Sequence, residues 1–278
     1  INSVKARKEI EVWSEAQIWS ATNNEGKFTL RIIYQGKEKI VNTANIILCT
    51  GAYDRTLPFP GWDIPGVMTP GGVQSLLKGH GVLAGKRVVV AGTGPFLLPV
   101  AAGVIKAGGE VVSLLEANKS RRWITSFNVI LENLGKLKEA FYYIKTISEG
   151  KVRAKFGYAV ITAHAGSNGE LESVDIAKID RNFNVKKLKN IKCDVAAIGW
   201  GFTADTSLAG SLGCKQVVAK DESVIVWVEN DQQTSISGIF AAGEITGIGG
   251  SELSMAEGVI AGIAAAKFVG CKVKVLKA

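Results

Sequence analysis

Apolar and polar positions alternate along much of the first fifty residues, which is the period expected of half-buried β-strands. Three stretches rich in β-branched and aromatic residues follow one another at 9–22, 27–35 and 39–48. The turn sequences NNEG and QGKE separate them, and short strands joined by such turns form antiparallel meanders. The pattern therefore predicts a β-meander for the amino-terminal part of the chain.

A second pattern begins after a connection rich in proline and glycine and a helix-like stretch at 71–80. KRVVV is a run of the kind buried on both faces of a parallel sheet, residues 96–109 have helical spacing, and residues 110–117 are strand-like again. This order of strand, glycine loop, helix and strand predicts one βαβ unit. Beyond it the pattern predicts a helix at 126–137 and strands at 142–147, 155–166, 171–180 and 193–201.

The last part of the chain combines both kinds of pattern. A strand and turn at 235–250 precede a helix-like run at 251–269 that is dense in small residues. Taken together, the elements predict an α/β fold with two nucleotide-type lobes, the first of which is split around the second.

The composition allows a large core, because 47% of the residues are apolar and only 21% are charged. The net charge of +8 comes from lysines scattered among acids and apolar residues, which favours a solvated basic face over a nucleic-acid partner. The four cysteines are far apart, so metal-ligand spacing and the redox pair of a disulfide reductase are both absent. The one long apolar run, at 88–105, is broken by glycine and proline, so we expect no membrane span and a cytoplasmic protein.

The sequence AGTGPFLLPV at 91–100 joins the KRVVV strand to the following helix. Gly92 permits a tight turn, Gly94 lets the backbone approach a phosphate, and the helix N-terminus offers free N–H groups. Glu116 ends the next strand, 22 residues after Gly94, where an acid binds ribose hydroxyls. We predict a nucleotide site made by Gly92, Thr93, Gly94, Pro95, Phe96, Leu97, Glu116 and Ala117. The alternative is a Rossmann-like unit that has lost its ligand.

Leu97 departs from the fingerprint, which has a third glycine or alanine at this position. A leucine is expected to push the helix outward or to tilt it, and Pro99 removes a helical N–H close by. The loop still suits an adenine nucleotide, either NAD(P) or ATP or ADP, but a poor fit is expected for a productively placed nicotinamide. Arg121 and Arg122 are candidates for contacting an extra phosphate, and the alternative is a solvated basic turn.

A second site is predicted from pieces that are distant in sequence. The strand of IILCTGAYDR ends at Thr50, Gly51 and Ala52, and the strand of GIFAAGEITGIGG ends at Gly243 and Glu244. We expect these two ends to meet as the rim of another dinucleotide site, with Glu244 binding a ribityl or ribose hydroxyl. Further rim residues, Gly250 and Ser251, are expected at a helix start. Gly199, at the end of the closing strand of the second lobe, is also a candidate for binding a cofactor.

Four blocks of the sequence carry a family resemblance. They are IILCTGAYDRTLPFPGWDIPGV, GKRVVVAGTGP, DVAAIGWGFTADTSLAGSLGC and GIFAAGEITGIGGSELSMAEGVIAG, in this order. They resemble the flavoproteins with two dinucleotide-binding domains of the pyridine nucleotide-disulfide oxidoreductase superfamily. The resemblance is closest to the alpha-type subunits of heteromeric amine and amino-acid dehydrogenases and oxidases, which include dye-linked proline dehydrogenase, opine oxidase, sarcosine oxidase and hydrogen cyanide synthase. Such subunits carry a similar loop, so the resemblance makes Leu97 a subfamily feature.

The resemblance implies a Rossmann-like NAD-type domain, residues 82–200, inserted in a discontinuous FAD/NAD(P)-binding domain, residues 1–81 and 201–278. It implies that Thr50, Gly51, Gly243 and Glu244 line the FAD-type lobe, and that Gly92, Gly94 and Glu116 line the NAD-type lobe. The FAD-type lobe is expected to be incomplete, because the family's opening βαβ unit, with its own glycine fingerprint, has no counterpart in this sequence.

The implied function is that of a subunit or fragment of a flavin-linked oxidoreductase that oxidises the C–N bond of an amine or amino acid. FAD is implied by resemblance alone, and a flavoprotein partner subunit or a missing amino-terminal segment is expected to complete its site. The sequence shows no catalytic side chain and no metal site, so the chemistry is expected to belong to the cofactor. The alternatives are a non-catalytic subunit that binds an adenine nucleotide to support assembly, and an NAD(P)H-dependent reductase.

Overall fold

A computed structural model describes residues 2–119, 134–180 and 184–273. The chain forms two units, of which the first comprises residues 1–53 and 203–278 and the second comprises residues 54–202. Arg121 and Arg122 lie outside the described residues, as does most of the helix predicted at 126–137.

The first unit opens with an antiparallel meander in the order β1-β2-β3. The predicted first strand starts at residue 9, but the observed one starts at Gln17, which pairs with Ile33 close to the end of β2. Residues 9–16 have no strand partner because β2 is only eight residues long. Before the chain enters the second unit, its elements are α1 (Asn2–Lys5), β1 (Gln17–Asn24), β2 (Lys27–Tyr34), β3 (Lys37–Thr43), β4 (Ile46–Leu48) and β5 (Ala52–Asp54).

The second unit is built on a five-stranded sheet in the order β6-β13-β7-β8-β9, with every neighbouring pair parallel. A three-stranded antiparallel sheet, β10-β11-β12, accompanies it. The elements are β6 (Val67–Met68), α2 (Pro70–His80), β7 (Arg87–Gly92), α3 (Leu97–Lys106), β8 (Glu110–Glu116), α4 (Leu134–Glu149), β9 (Ala154–Phe156), β10 (Tyr158–Ala165), β11 (Leu171–Ile179), β12 (Val185–Lys192) and β13 (Val195–Gly199). Strand β14 (Phe202–Ala204) spans the boundary at which the chain re-enters the first unit.

Strand β7 lies at the centre of this unit and is covered on both faces. Val88 and Val90 pack in one cluster with residues of α2, α3 and α4, whereas Val89 and Ala91 pack in another with residues of β10 and β11. All four side chains are fully buried. The continuous apolar run that predicted a strand buried on both faces therefore has the expected environment.

The chain then returns to the first unit, where β17 pairs with β4 in parallel. Ile46 lies opposite Ile239 and Leu48 opposite Ala241. Across the described ranges, no helix combines the length and the apolar composition needed to cross a bilayer. The elements of the return are α5 (Ser207–Ser211), β15 (Gln216–Val218), β16 (Val224–Val226), β17 (Ile239–Ala241), a 3-10 turn (Glu244–Thr246) and α6 (Ser251–Phe268).

Two further predicted assignments differ from the structure. The unit boundary lies at residue 54 and not at the predicted residue 82, because β6 pairs with β13 and Val73 of α2 packs in the core of the second unit. The strand predicted at 142–147 is wrong, since these residues belong to the helix α4. Its β-branched and aromatic residues suggested a strand, but packing of Ile147 with Leu97 and Val104 of α3 favours the helix.

Candidate functional site

Three of the predicted site residues stand side by side at the carboxyl edge of the five-stranded sheet. Gly199 of β13 is the register partner of Gly92 of β7, and Gly92 is the partner of Glu116 of β8. The carboxyl edge of a parallel sheet is where α/β proteins bind their ligands. The structure thus brings together residues that are widely separated in sequence.

Gly92 has a structural reason to be glycine that does not involve a ligand. Its φ is +132°, and a Cβ built on it would lie 1.6 Å from the carbonyl oxygen of Gly199. The N–H of Thr93 donates to this same carbonyl at 3.0 Å. Close approach of β7 and β13 therefore requires glycine at position 92.

Gly94, unlike Gly92, is next to open space. Its φ is +98°, and a Cβ placed on it would meet no atom within 4 Å. Its N–H donates to Oε2 of Glu116 at 3.0 Å. A side chain at position 94 would enter the open space beside the loop.

Glu116 is engaged within the chain and is only 4% exposed. Besides the bond from Gly94, its Oε1 accepts hydrogen bonds from the backbone N–H of Asn118 at 2.9 Å and from Nδ2 of Asn118 at 3.0 Å. The N–H of Ala117 donates to the Gly92 carbonyl at 2.8 Å. The carboxylate therefore ties the glycine loop to the segment after β8, and Asn118 is a member of the site that the sequence pattern did not single out.

The loop offers few donors to an anion. The N–H groups of Thr93 and Gly94 are engaged as described, that of Leu97 donates to the Gly94 carbonyl at 3.3 Å, and Pro95 has none. Among loop residues 93–97, the N–H of Phe96 is the one without a hydrogen-bond partner in the described part of the chain. Pro95, which has no N–H, thus removes one more donor from the loop, in addition to the departure from the fingerprint at Leu97.

Leu97 opens α3 and is 2% exposed, in the same core cluster as Val88, Val90 and Ile147. It also contributes to a cavity of about 350 Å³ beside Glu116, whose lining is mostly apolar. The Phe96 ring packs edge-on against Phe202 with 5.1 Å between ring centroids. Leu97 thus serves the packing of this lobe.

The second predicted site forms at the carboxyl ends of β4 and β17. Their parallel register ends with Ala241 opposite Leu48, beyond which the N–H of Ala242 donates to the Leu48 carbonyl at 3.0 Å. The hydroxyl of Thr50 donates to the carbonyl of Asp205, whose own N–H donates to the Gly51 carbonyl at 2.9 Å. The backbone of Asp205 therefore holds the Thr50–Ala52 segment, a role that sequence reasoning missed.

Glu244 begins the 3-10 turn directly after Gly243, and its side chain is half-buried. Within the described residues, its carboxylate has no hydrogen-bond or ion-pair partner. Gly243 has φ +83° and ψ −155°, a conformation that is essentially restricted to glycine. The site thus presents an unengaged carboxylate as a hydroxyl acceptor.

Helix α6 starts at the same end of the first unit. Gly250 is its N-cap, with φ +83°, no side-chain cap and no atom within 4 Å of the place a Cβ would take, and Ser251 is exposed. Its first-turn N–H groups have no side-chain cap, which suits an electron-rich group. The residues present therefore fit the hydroxyl-bearing part of a flavin nucleotide, with Glu244 as acceptor and the start of α6 as donor.

Metal-binding residues do not cluster. Within residues 2–119, 134–180 and 184–273, no group of three or more His, Cys, Asp or Glu side chains could hold a metal ion.

His164 lies on the antiparallel sheet, with Nε2 2.7 Å from Oδ2 of Asp175. Hydrogen bonds from Asn190 and His164 lower the pKa of Asp175.

The sequence matches the pyridine nucleotide-disulphide oxidoreductase family over residues 2–270. It is 29% identical to the HcnB subunit of hydrogen cyanide synthase from Pseudomonas aeruginosa over 80% of this chain and 48% of that protein. It is 25% identical to the A subunit of opine oxidase from Agrobacterium tumefaciens over 92% of this chain and 51% of that protein. The chain therefore spans about half the length of these relatives.

The fold resembles that of L-proline dehydrogenase from P. horikoshii, with a TM-score of 0.64 and 16% identity over 96% of this chain and 43% of that one. These matches confirm the α/β class and the resemblance predicted from the four sequence blocks. The chain belongs to the pyridine nucleotide-disulphide oxidoreductase family.

Proposed function

We propose that this chain is a nucleotide-binding subunit of a flavin-linked oxidoreductase that oxidises the C–N bond of an amine or amino acid. The observation that carries the proposal is the unengaged Glu244 carboxylate, in the 3-10 turn that follows β17. The names of the relatives, which are subunits of an opine oxidase and of a hydrogen cyanide synthase, support the substrate class.

The residues of this site would hold FAD through complementary contacts. Glu244 accepts a hydrogen bond from a ribityl or ribose hydroxyl, and the first turn of α6 donates N–H groups to an electron-rich part of the cofactor. Gly51 and Gly250 leave space for close approach, since a Cβ on either would meet nothing within 4 Å. Bound FAD supplies the two-electron redox chemistry, and the chain supplies its placement.

The loop at 92–97 is proposed to retain an adenine nucleotide, ATP, ADP or NAD(P), in a supporting role. The open space at Gly94 and the apolar cavity beside Glu116 support binding of phosphate and adenine. However, Glu116 accepts the Gly94 N–H, and Phe96 offers the one loop N–H that has no partner among the described residues. Because most of its donors are engaged, the loop favours the second candidate function, in which the bound nucleotide supports assembly of the complex and does not donate a hydride.

Substitution of Gly94 tests the nucleotide site directly. Gly94→Val is expected to weaken binding of ADP at least about tenfold, because the side chain enters the open space at the loop. Calorimetric titration of the native protein with ADP measures the effect. Gly169→Val is the matched control, since Gly169 also has a positive φ, +80°, and open surroundings in the same unit, but lies in the turn between β10 and β11. Equal ADP affinity in wild type and Gly94→Val would contradict the proposal that the loop at 92–97 binds an adenine nucleotide.

Rapid mixing with reduced coenzyme separates the candidate functions. We expect that neither NADH nor NADPH bleaches the flavin absorbance of the native complex within the turnover time of its amine substrate. The physical reason is the closed loop, in which the donors of Thr93 and Gly94 are already engaged. Fast bleaching by either coenzyme would contradict this and would support an NAD(P)H-dependent reductase.

A partner subunit is proposed to cover one side of the first unit. The outer edge of β17 is engaged, since Ala241 donates to the Gln232 carbonyl, whereas the outer edge of β4 has no strand partner in the described ranges. Met255 and Val259 of α6 are 65% and 62% exposed. An open parallel edge and an exposed apolar helix face are each unfavourable in water. We propose that a flavoprotein partner subunit, or a further segment of the same gene product, adds a parallel strand to β4, and that a partner subunit packs on the exposed apolar face of α6.

A further inference from the structure

Glu257, in the second turn of α6, reaches back to the turn that carries Glu244. Its Oε2 accepts a hydrogen bond from the N–H of Gly243 at 2.7 Å and another from the hydroxyl of Thr246 at 2.9 Å. Its side chain is half-buried. One carboxylate oxygen therefore binds both ends of the segment 243–246.

The same segment is closed internally by Thr246. Its N–H donates to the Gly243 carbonyl at 2.9 Å, and its hydroxyl lies 2.8 Å from that carbonyl. These contacts make a compact turn, but none of them engages the N–H of Gly243. Because Glu257 accepts this N–H, it is the side chain that ties the turn to α6.

Gly243 needs such a restraint. Its φ of +83° with ψ of −155° is a sparsely populated conformation, which persists only where surrounding contacts over-determine it. The direction of the peptide between Gly243 and Glu244 sets where the Glu244 side chain begins. A hydrogen bond from the Gly243 N–H to a charged acceptor is stronger than one to a neutral acceptor and has a defined geometry.

We propose that Glu257 is a positioning residue that fixes the Gly243–Thr246 turn and thereby presents the Glu244 carboxylate to the cofactor. This inference rests on the proposed function, since it assumes that Glu244 contacts FAD. Glu257 acts through the turn and does not itself touch the reacting atoms. Its role also explains why an acidic residue occurs within α6, on the side that packs towards the sheet through Ala261 and Ala265.

Conservative and apolar replacements separate positioning from a general loss of stability. Glu257→Gln keeps an oxygen acceptor at the same distance from the backbone, whereas Glu257→Leu removes it with little change in size. Thr246→Val removes one of the two donors and leaves Glu257 in place. Glu229→Gln is the control for loss of a carboxylate, since Glu229 is exposed in the same unit.

The measurements are FAD retention by the native complex and hydrogen exchange of the Gly243 amide. In Glu257→Leu we expect FAD to dissociate about tenfold more readily and the Gly243 amide to exchange at least about tenfold faster, as expected for loss of a charged acceptor. Glu257→Gln should restore both quantities to within about threefold of wild type. Thr246→Val should shift them in the same direction as Glu257→Leu but less, and Glu229→Gln should shift neither.

An unchanged exchange rate of the Gly243 amide in Glu257→Leu would overturn the positioning role. Faster exchange of this amide in Glu257→Leu together with normal FAD retention would overturn it as well. Failure of Glu257→Gln to restore FAD retention would also overturn it. Glu244→Ala distinguishes this failure from a failure of the proposed function. If Glu244→Ala loses FAD and Glu257→Leu does not, the inference alone is wrong, whereas normal FAD retention in Glu244→Ala would remove the FAD site itself.

Discussion

Replacing Gly92 by alanine is expected to unfold the second unit or to reduce its stability by about 4 kcal/mol or more, a loss found only where a substitution breaks a special contact. The added Cβ would lie 1.6 Å from the carbonyl oxygen of Gly199 and 2.6 Å from its carbonyl carbon. Both atoms are backbone atoms of the adjacent strand β13, so neither can move without separating β7 from β13. The φ of +132° adds strain for any residue with a side chain.

Gly108→Ala is the matched control for this effect. Gly108 lies in the same unit with φ +85°, but a Cβ on it would meet nothing within 4 Å. Gly108→Ala should therefore lower the free energy of unfolding only by the backbone strain at this position, about 1–2 kcal/mol. Chemical unfolding followed by circular dichroism measures both variants. If Gly92→Ala is no less stable than Gly108→Ala, the inference that close contact between β7 and β13 requires glycine at position 92 is wrong.

The double substitution Met255→Lys and Val259→Lys is expected to prevent assembly of the native complex. Both side chains are more than 60% exposed in the chain alone, so the substitutions should leave its own stability nearly unchanged. In an assembled apolar interface, each lysine would be a buried and unpaired charge. Such a charge costs about 3–5 kcal/mol, which corresponds to a weakening of association by a hundredfold or more.

Val218→Lys provides the control for this surface. Val218 of β15 is 70% exposed in the same unit but lies on a different element. Co-purification and light scattering of the native protein should show the full assembly for wild type and for Val218→Lys, and the free chain for the double variant. A double variant that assembles like wild type would place the partner elsewhere. A wild-type chain that stays a stable monomer would remove the partner proposal.

Local pattern was sufficient for much of the fold. The βαβ unit of β7, α3 and β8 was predictable because a buried parallel strand, a glycine turn and an amphipathic helix each leave a short-range signal. The helix α6 and the strands of the meander follow from the same kind of signal. The segment 142–147 was not predictable in this way, because its β-branched and aromatic residues favour a strand locally while packing of Ile147 on α3 favours a helix.

The boundary between the units was also decided by tertiary contacts. The stretch 54–66 carries only turn signals, so the pattern could not assign it to either lobe. Pairing of the two-residue strand β6 with β13 joins residues 54–81 to the second unit. A pairing of that length leaves almost no trace in a sequence, since two residues cannot show a period.

The sequence by itself determined which glycines and acids end the parallel strands at the two candidate sites, because these residue types at strand ends have a local signature. Only the tertiary structure decided what these residues do. Gly92 is required by the carbonyl of Gly199, Glu116 binds the loop amide of Gly94, and Glu257 binds that of Gly243. The partners of each pair come from different elements, and a hydrogen bond or a steric contact between them depends on distances of a few ångströms that only the packing of those elements fixes.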